Sequence, residues 1–104
     1  MLSPTYTIRY SEESIEDLTA IAKHYAEIST ALKDKLKVAI LKTEVDLLRN
    51  PFAFSKVSFK DFRRIIIKNF PYKILYRVEN NEILVFAILH QARSKKVISK
   101  RLKK

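Results

Sequence analysis

The chain has 104 residues, 47% of them hydrophobic, with neither cysteine nor glycine, and 21 lysines and arginines oppose 11 acidic residues for a net charge of +10. That length allows one domain over residues 1–104, and the missing cysteines exclude a disulfide framework and thiolate metal sites. The missing glycines exclude a dinucleotide-binding turn and a P-loop, because both need a backbone without Cβ where the phosphate approaches.

In chain order, Thr5 to Tyr10 alternates, with Tyr6, Ile8 and Tyr10 on one face, which predicts a half-buried strand. Ser11 is the expected N-cap of a first helix, and Glu12, Glu13, Glu16 and Asp17 suit the positive end of its dipole. Ile15, Leu18, Ile21, Ala22, Tyr25 and Ile28 recur at spacings of three and four, which carries that helix to about Ile28. Ser29 or Thr30 caps a second helix with a stripe of Leu32, Leu36, Ala39, Ile40, Thr43 and Leu47, widened by Leu41, Val45 and Leu48. The width predicts contact with both the first helix and a sheet. Asn50-Pro51 ends it, Asn as a left-handed cap and Pro as a breaker, and the short link makes an antiparallel helical hairpin. Phe52, Phe54, Val57 and Phe59 are too apolar for a free loop and are expected to pack on the helices or a sheet edge.

Three strands follow between Phe62 and Arg93. Asn80-Asn81 separates two alternating runs and signals a two-residue hairpin, since Asn tolerates positive φ. Its register places Val78 opposite Ile83, Tyr76 opposite Val85, Ile74 opposite Ala87 and Tyr72 opposite Leu89, all on a core face. The other face pairs Arg77 with Leu84, Leu75 with Phe86 and Lys73 with Ile88. A short turn at Phe70-Pro71 puts Ile65 and Ile67 in the core and Arg64, Ile66 and Lys68 on the open face. A three-residue turn would bury the two charges instead, the costlier outcome. The predicted architecture is two-layer α+β: a helical hairpin packed on a mostly antiparallel sheet, in the order β-α-α-β-β-β. Residues 91–104 form a basic tail with seven lysines and arginines, either a short helix carrying Val97, Ile98 and Leu102 or a frayed end.

Charge is unevenly placed. Residues 1–50 hold seven basic and eight acidic residues, whereas residues 51–104 hold fourteen and three. A polyanionic partner is therefore expected at the strands and tail, either nucleic acid or an acidic protein. On the open face Lys73, Leu75, Arg77, Leu84, Phe86 and Ile88 make a mixed apolar and cationic patch that suits a partner; the plainer alternative is cover by the tail or by residues 51–61. Two histidines, His24 and His90, are too few for a dedicated transition-metal site, so no metal or cofactor is implied. No segment reaches the roughly 18 apolar residues of a membrane span, and MLSPTY is no secretory leader, which predicts a cytoplasmic protein without a membrane partner.

The order of elements, with YSEESIEDLTAIAKHY, LLRNP, FRRI, FPYKILYRV and ILHQAR, resembles the RelE/ParE superfamily of type II toxin–antitoxin toxins, also known as plasmid stabilisation proteins. The resemblance spans roughly residues 5–101. It implies a small basic toxin that arrests bacterial growth and is silenced by a co-encoded acidic antitoxin. ParE-like members inhibit DNA gyrase, and RelE-like members are metal-independent endoribonucleases that cut mRNA in the ribosomal A site. Strand position likens Arg64 and Lys68 to basic catalytic residues of RelE-like toxins, and Arg93 to the arginine after the last strand. His90 is the acid/base candidate beside them, although its plainer role is a strand-end residue satisfied by backbone. The tyrosine of RelE-like tails is replaced near Ser99, and a serine hydroxyl neither stacks on a base nor shuttles protons well near neutrality. This tilts the resemblance toward ParE-like action. A non-toxic nucleic-acid-binding module is the reading from a different class.

Overall fold

The structure, a computed structural model, describes residues 5–57, 60–93 and 95–102. Strand β1 (Thr7–Tyr10) leads into helix α1 (Glu12–Ile28) and helix α2 (Thr30–Arg49). Strands β2 (Arg63–Ile66), β3 (Tyr72–Glu79) and β4 (Glu82–His90) follow, and helix α3 (Lys95–Leu102) closes the order. The expected α+β arrangement is therefore present, and the basic tail takes its helical alternative.

Ser11 caps α1 by accepting the Ser14 amide at 3.1 Å, and Ser29 caps α2 by accepting the Leu32 amide at 3.3 Å. Ser29 ends one helix and starts the next, which forces the sharp reversal of the hairpin. Asn50 ends α2 with φ −160°, so the stop is an extended residue before Pro51 rather than the expected left-handed cap. The stripe of α2 is also narrower than expected. Leu36, Ala39, Ile40, Thr43 and Leu47 are buried, but Leu41, Val45 and Leu48 face solvent, as do Ile15 and Ile28 of α1.

The sheet order is β1-β4-β3-β2. β1 runs parallel to β4, pairing Ile8 with Ile83 and Tyr10 with Val85, while the other two pairings are antiparallel. The Asn80-Asn81 turn forms with Asn80 at φ 54°, and the expected register holds from Val78↔Ile83 to Tyr76↔Val85. It then breaks. Phe86 is an extra residue on β4, so Leu75 pairs with Ala87, Ile74 with Ile88, Lys73 with Leu89 and Tyr72 with His90. A β-bulge shifts every later side chain to the opposite face. Ile88, not Ala87 or Leu89, therefore joins Ile74, Tyr76, Ile83 and Val85 in the core beneath α1 and α2.

The bulge frees backbone groups from the ladder, and α1 takes them up. The Ser11 hydroxyl donates to the Phe86 carbonyl at 3.3 Å, and the Ile88 amide donates to Asp17 Oδ2 at 3.0 Å. Asp17 Oδ2 also accepts from Arg101 Nη2 at 2.7 Å, and Arg101 Nε lies 2.7 Å from Glu13. One carboxylate thus ties α1, the bulge and α3 together.

On the far side of the sheet Phe62, Leu75, Ala87, Ile98 and Leu102 form a second core, flanked by Val57, Phe86 and Leu89. Of the two readings of this face, a partner surface or cover by the tail, the structure shows the tail's α3 lying over it. The segment after α2 is tied down as its composition predicts: Phe54 packs on the first core and Val57 on the second. Arg63 Nη1 donates to the carbonyls of Phe52 and Phe54 at 3.1 and 2.7 Å. Phe52 itself is exposed, with the Arg63 guanidinium 5.4 Å from its ring centre, and Phe59 lies outside the described residues.

Asp17→Ala is expected to destabilise the fold by about 3 kcal/mol, because it orphans the buried Ile88 amide and leaves Arg101 with Glu13 as its one remaining carboxylate partner. Asp17→Asn, which keeps an acceptor, should lose about half of that; urea unfolding with hydrogen exchange at α3 reads both. A second expectation concerns Tyr76, which donates to the Pro51 carbonyl at 2.7 Å and whose pKa burial pushes up to about 12. The unfolded phenol ionises near pH 10 while the folded one keeps its proton, so stability is complete below about pH 10 and falls as pH rises toward 12. Unfolding midpoints measured from pH 8 to 12 should show this loss, reduced in Tyr76→Phe.

Candidate functional site

The positive face of the sheet is built where β2 and β3 run side by side. Arg64 pairs with Leu75 and Ile66 with Lys73, which sets Arg64 and Lys73 as diagonal neighbours on the α3 side. Arg64 is exposed, but Lys73 is only 4% exposed and its Nζ donates to the Gln91 carbonyl at 3.1 Å. Burial lowers the Lys73 pKa below that of an ordinary lysine, and the charge of Arg64 lowers it further. An ammonium held in place beside a guanidinium attracts anions, and a lysine that gives up its proton more readily than usual is also a proton donor. Arg77 continues this face between the rings of Phe62 and Phe86, 5.4 Å from each, and its guanidinium lies 3.1 Å from Glu79.

The other residues singled out in the sequence are distributed differently. β2 stops at Ile66, so Lys68 sits in the turn before Tyr72 and lines a groove against α2 rather than standing beside Arg64 on a strand face. That turn is a four-residue reversal, closed by the Ile67 amide on the Tyr72 carbonyl at 2.9 Å, with Asn69 at φ 71°. Arg93 lies exposed beyond β4, its amide donating to the His90 carbonyl at 3.1 Å. His90 is opposite Tyr72, which the bulge places on the helix side, so it faces away from Arg64 and Lys73. Its ring stacks edge-on with Tyr72 at 5.7 Å, and its Nδ1 accepts the Ala92 amide at 3.1 Å. His90 therefore has the backbone-satisfied strand-end environment, and the proton stays on Nε2 in its neutral form. His24 is exposed on α1 beside Tyr25.

The proposed partner patch is likewise redistributed. Leu75 is fully buried beneath α3, Leu84 and Phe86 are largely covered, and Ile88 is 2% exposed on the opposite, helix-side face. In the free chain Ile98 and Leu102 of α3 cover the part of this patch on the second core. Arg101, Asp17 and Gln91 were missed in the sequence. The only available signal was the four-residue spacing of Ile98 and Leu102, which predicts an apolar face for the tail and places Arg101 at its margin.

Lys73→Met should remove the unfavourable burial of charge while leaving the exposed Gln91 carbonyl to water. The thermal midpoint is expected to rise by roughly 4–8 °C, the shift produced by about 1 kcal/mol in a domain of this size, and scanning calorimetry measures it.

The helical hairpin against a four-stranded mixed sheet, with a basic face and a C-terminal helix across it, is the architecture of small toxins from toxin–antitoxin pairs. The profile of the family described as ParE toxin of type II toxin-antitoxin system, parDE, matches residues 8–95. The chain belongs to this ParE toxin family, within the RelE/ParE superfamily. Its fold is similar to that of the chromosomal ParDE toxin–antitoxin system from P. aeruginosa, with a TM-score of 0.67, 20% identity and cover of 85% of this chain and 98% of that one. A mutant of the E. coli toxin RelE in its free state aligns with a TM-score of 0.58 and 20% identity, over 95% of this chain and 96% of that one. The toxin-antitoxin complex RelBE2 from Mycobacterium tuberculosis aligns at 0.50 and 20% identity, over 83% and 98%. No curated protein sequence matches the chain.

Proposed function

We propose that this toxin arrests bacterial growth by binding its target rather than by cutting RNA, in the ParE manner through DNA gyrase, and that an acidic antitoxin silences it. The observation that carries this reading is the position of His90. The cationic pair Arg64 and Lys73 has no imidazole beside it, because the bulge at Phe86 turns His90 to the other face. Cleavage of RNA needs a base for the 2′-hydroxyl as well as positive charge on the phosphate, whereas binding an anionic surface needs only the charge. Arg64 and Arg93 supply that charge at exposed positions. A RelE-like nuclease is the second reading, and the observation that favours it is Lys73, whose lowered pKa suits proton donation to a leaving oxygen.

Induction of the chain alone in a bacterium is expected to stop growth, and the purified chain to block gyrase supercoiling while cell-free translation continues with its mRNA intact. Cleaved mRNA with normal supercoiling would sink the gyrase reading in favour of the nuclease. Unimpaired growth together with steeply salt-dependent nucleic-acid binding would instead favour a non-toxic binding module. Arg64→Ala combined with Arg93→Ala should relieve growth arrest while altering stability by only ~0.5 kcal/mol, since both side chains are exposed. Full toxicity in that variant would remove these residues from the site.

A further inference from the structure

Helix α2 has two apolar faces, and the fold uses one. Opposite its buried stripe, Val38, Leu41, Val45 and Leu48 are 51%, 52%, 53% and 41% exposed. Their spacing of three, four and three residues is that of alternating a and d positions in a heptad, with valine at a and leucine at d. Scattered apolar residues on a surface need no explanation, but four in coiled-coil register on one helix face form a seam about 15 Å long. Beside the seam runs a groove of about 1010 Å³, lined by Val38 and Val45 of α2 and by Ile66 and Phe70 at the sheet edge and its turn.

The charges around this surface select its occupant. Lys35 and Lys42 of α2 and Lys68 of the β2–β3 turn line the groove, and Lys37 lies on the other flank of the seam. Two acids also line the groove, exposed Asp34 at the start of the seam and Asp46, which lies 4.0 Å from Arg49, while Glu44 Oε2 accepts the Tyr10 hydroxyl at 2.6 Å; three lysines against two carboxylates leave the groove positive. A second copy of the chain fits poorly. Parallel pairing would oppose Lys37 with Lys42, antiparallel pairing would oppose Lys42 with itself, and four half-exposed side chains fall well short of the roughly 800 Å² per partner of a stable dimer. A helix with leucine or isoleucine on its seam and glutamate or aspartate on its flanks fits on both counts.

We infer that the outer face of α2 and its groove are a docking site for an acidic amphipathic helix of a partner protein, seated over Val38, Leu41, Val45 and Leu48. This deepens the antitoxin part of the proposed function and rests on it only for the source of the helix. It also moves the partner surface from the sheet face beneath α3 to the opposite side of the molecule.

The test uses the full chain and a synthetic peptide of about three heptads, with isoleucine and leucine at a and d and glutamate at e and g, beside a twin with lysine at e and g. Fluorescence anisotropy should show the glutamate peptide binding at least tenfold more tightly than its lysine twin. Val38→Gln with Val45→Gln, and separately Lys35→Glu with Lys42→Glu, should each weaken the glutamate peptide at least tenfold. Ile15→Gln, at an exposed apolar residue of α1, should leave it unchanged. Absence of binding, equal binding of the twins or indifference to the α2 variants would overturn the inference. So would a dimer of the chain alone, in sedimentation, that Val38→Gln with Val45→Gln dissociates. Growth arrest without peptide binding sinks this site alone; peptide binding without growth arrest sinks the toxin reading alone.

Discussion

Much of this structure depends on how one irregularity in β4 is satisfied. Phe86 interrupts the ladder, and the groups it frees would be costly to leave unpaired so close to the core. Ser11 and Asp17, both at the start of α1, accommodate them. Asp17, one of the acidic residues that suit the N-terminal part of the helix, is thus also the one that fastens the helix to the sheet. Because Asp17 also holds Arg101, the position of α3 is coupled to the geometry of the bulge. Two apolar layers on opposite faces of the sheet are registered through one carboxylate.

That irregularity also sets the chemistry of the sheet. Without it β4 would present Phe86, Ile88 and His90 on the same side as Lys73 and Arg77, and an imidazole would stand beside the cations. With it, His90 joins Tyr72 and the aromatic group around Tyr25, leaving Arg64, Lys73 and the Glu79-paired Arg77 among apolar side chains with no imidazole beside them. One residue more or less in a strand exchanges its two faces, so this single insertion decides whether an imidazole stands beside the cations.

Elements were legible in the sequence wherever local chemistry decides them. Ser11, Ser29 and Pro51 mark helix limits because capping and ring closure act within a turn, and Asn80 marks the hairpin because few residues accept its φ. The bulge was not legible, since nothing in VFAIL distinguishes an alternating strand from one with an extra residue, and the groups that satisfy it, Ser11 and Asp17, lie about seventy positions away. Hence Arg64 and Lys73 were placed on the correct face from β2 and β3, whereas Ile88 and His90 were assigned to the wrong one. The burial of Leu75 was equally hidden, because it depends on where α3 settles. The exposed seam of α2 escaped for the opposite reason: a stripe apolar on both sides reads as one wide buried face until the partners of each side are known.

The place of β1 bears on when this protein first becomes whole. The first strand to be synthesised lies parallel beside the last, with Thr7 bonded to the carbonyl of Asn81 and Ser11 to that of Val85. No local hairpin can stand in for that neighbour, so β1 must wait through the synthesis of both long helices and two strands before its ladder can form. A chain halted before β4 has β2 and β3 but lacks the strand that β1 pairs with. Completion of the sheet is thereby tied to the synthesis of β4.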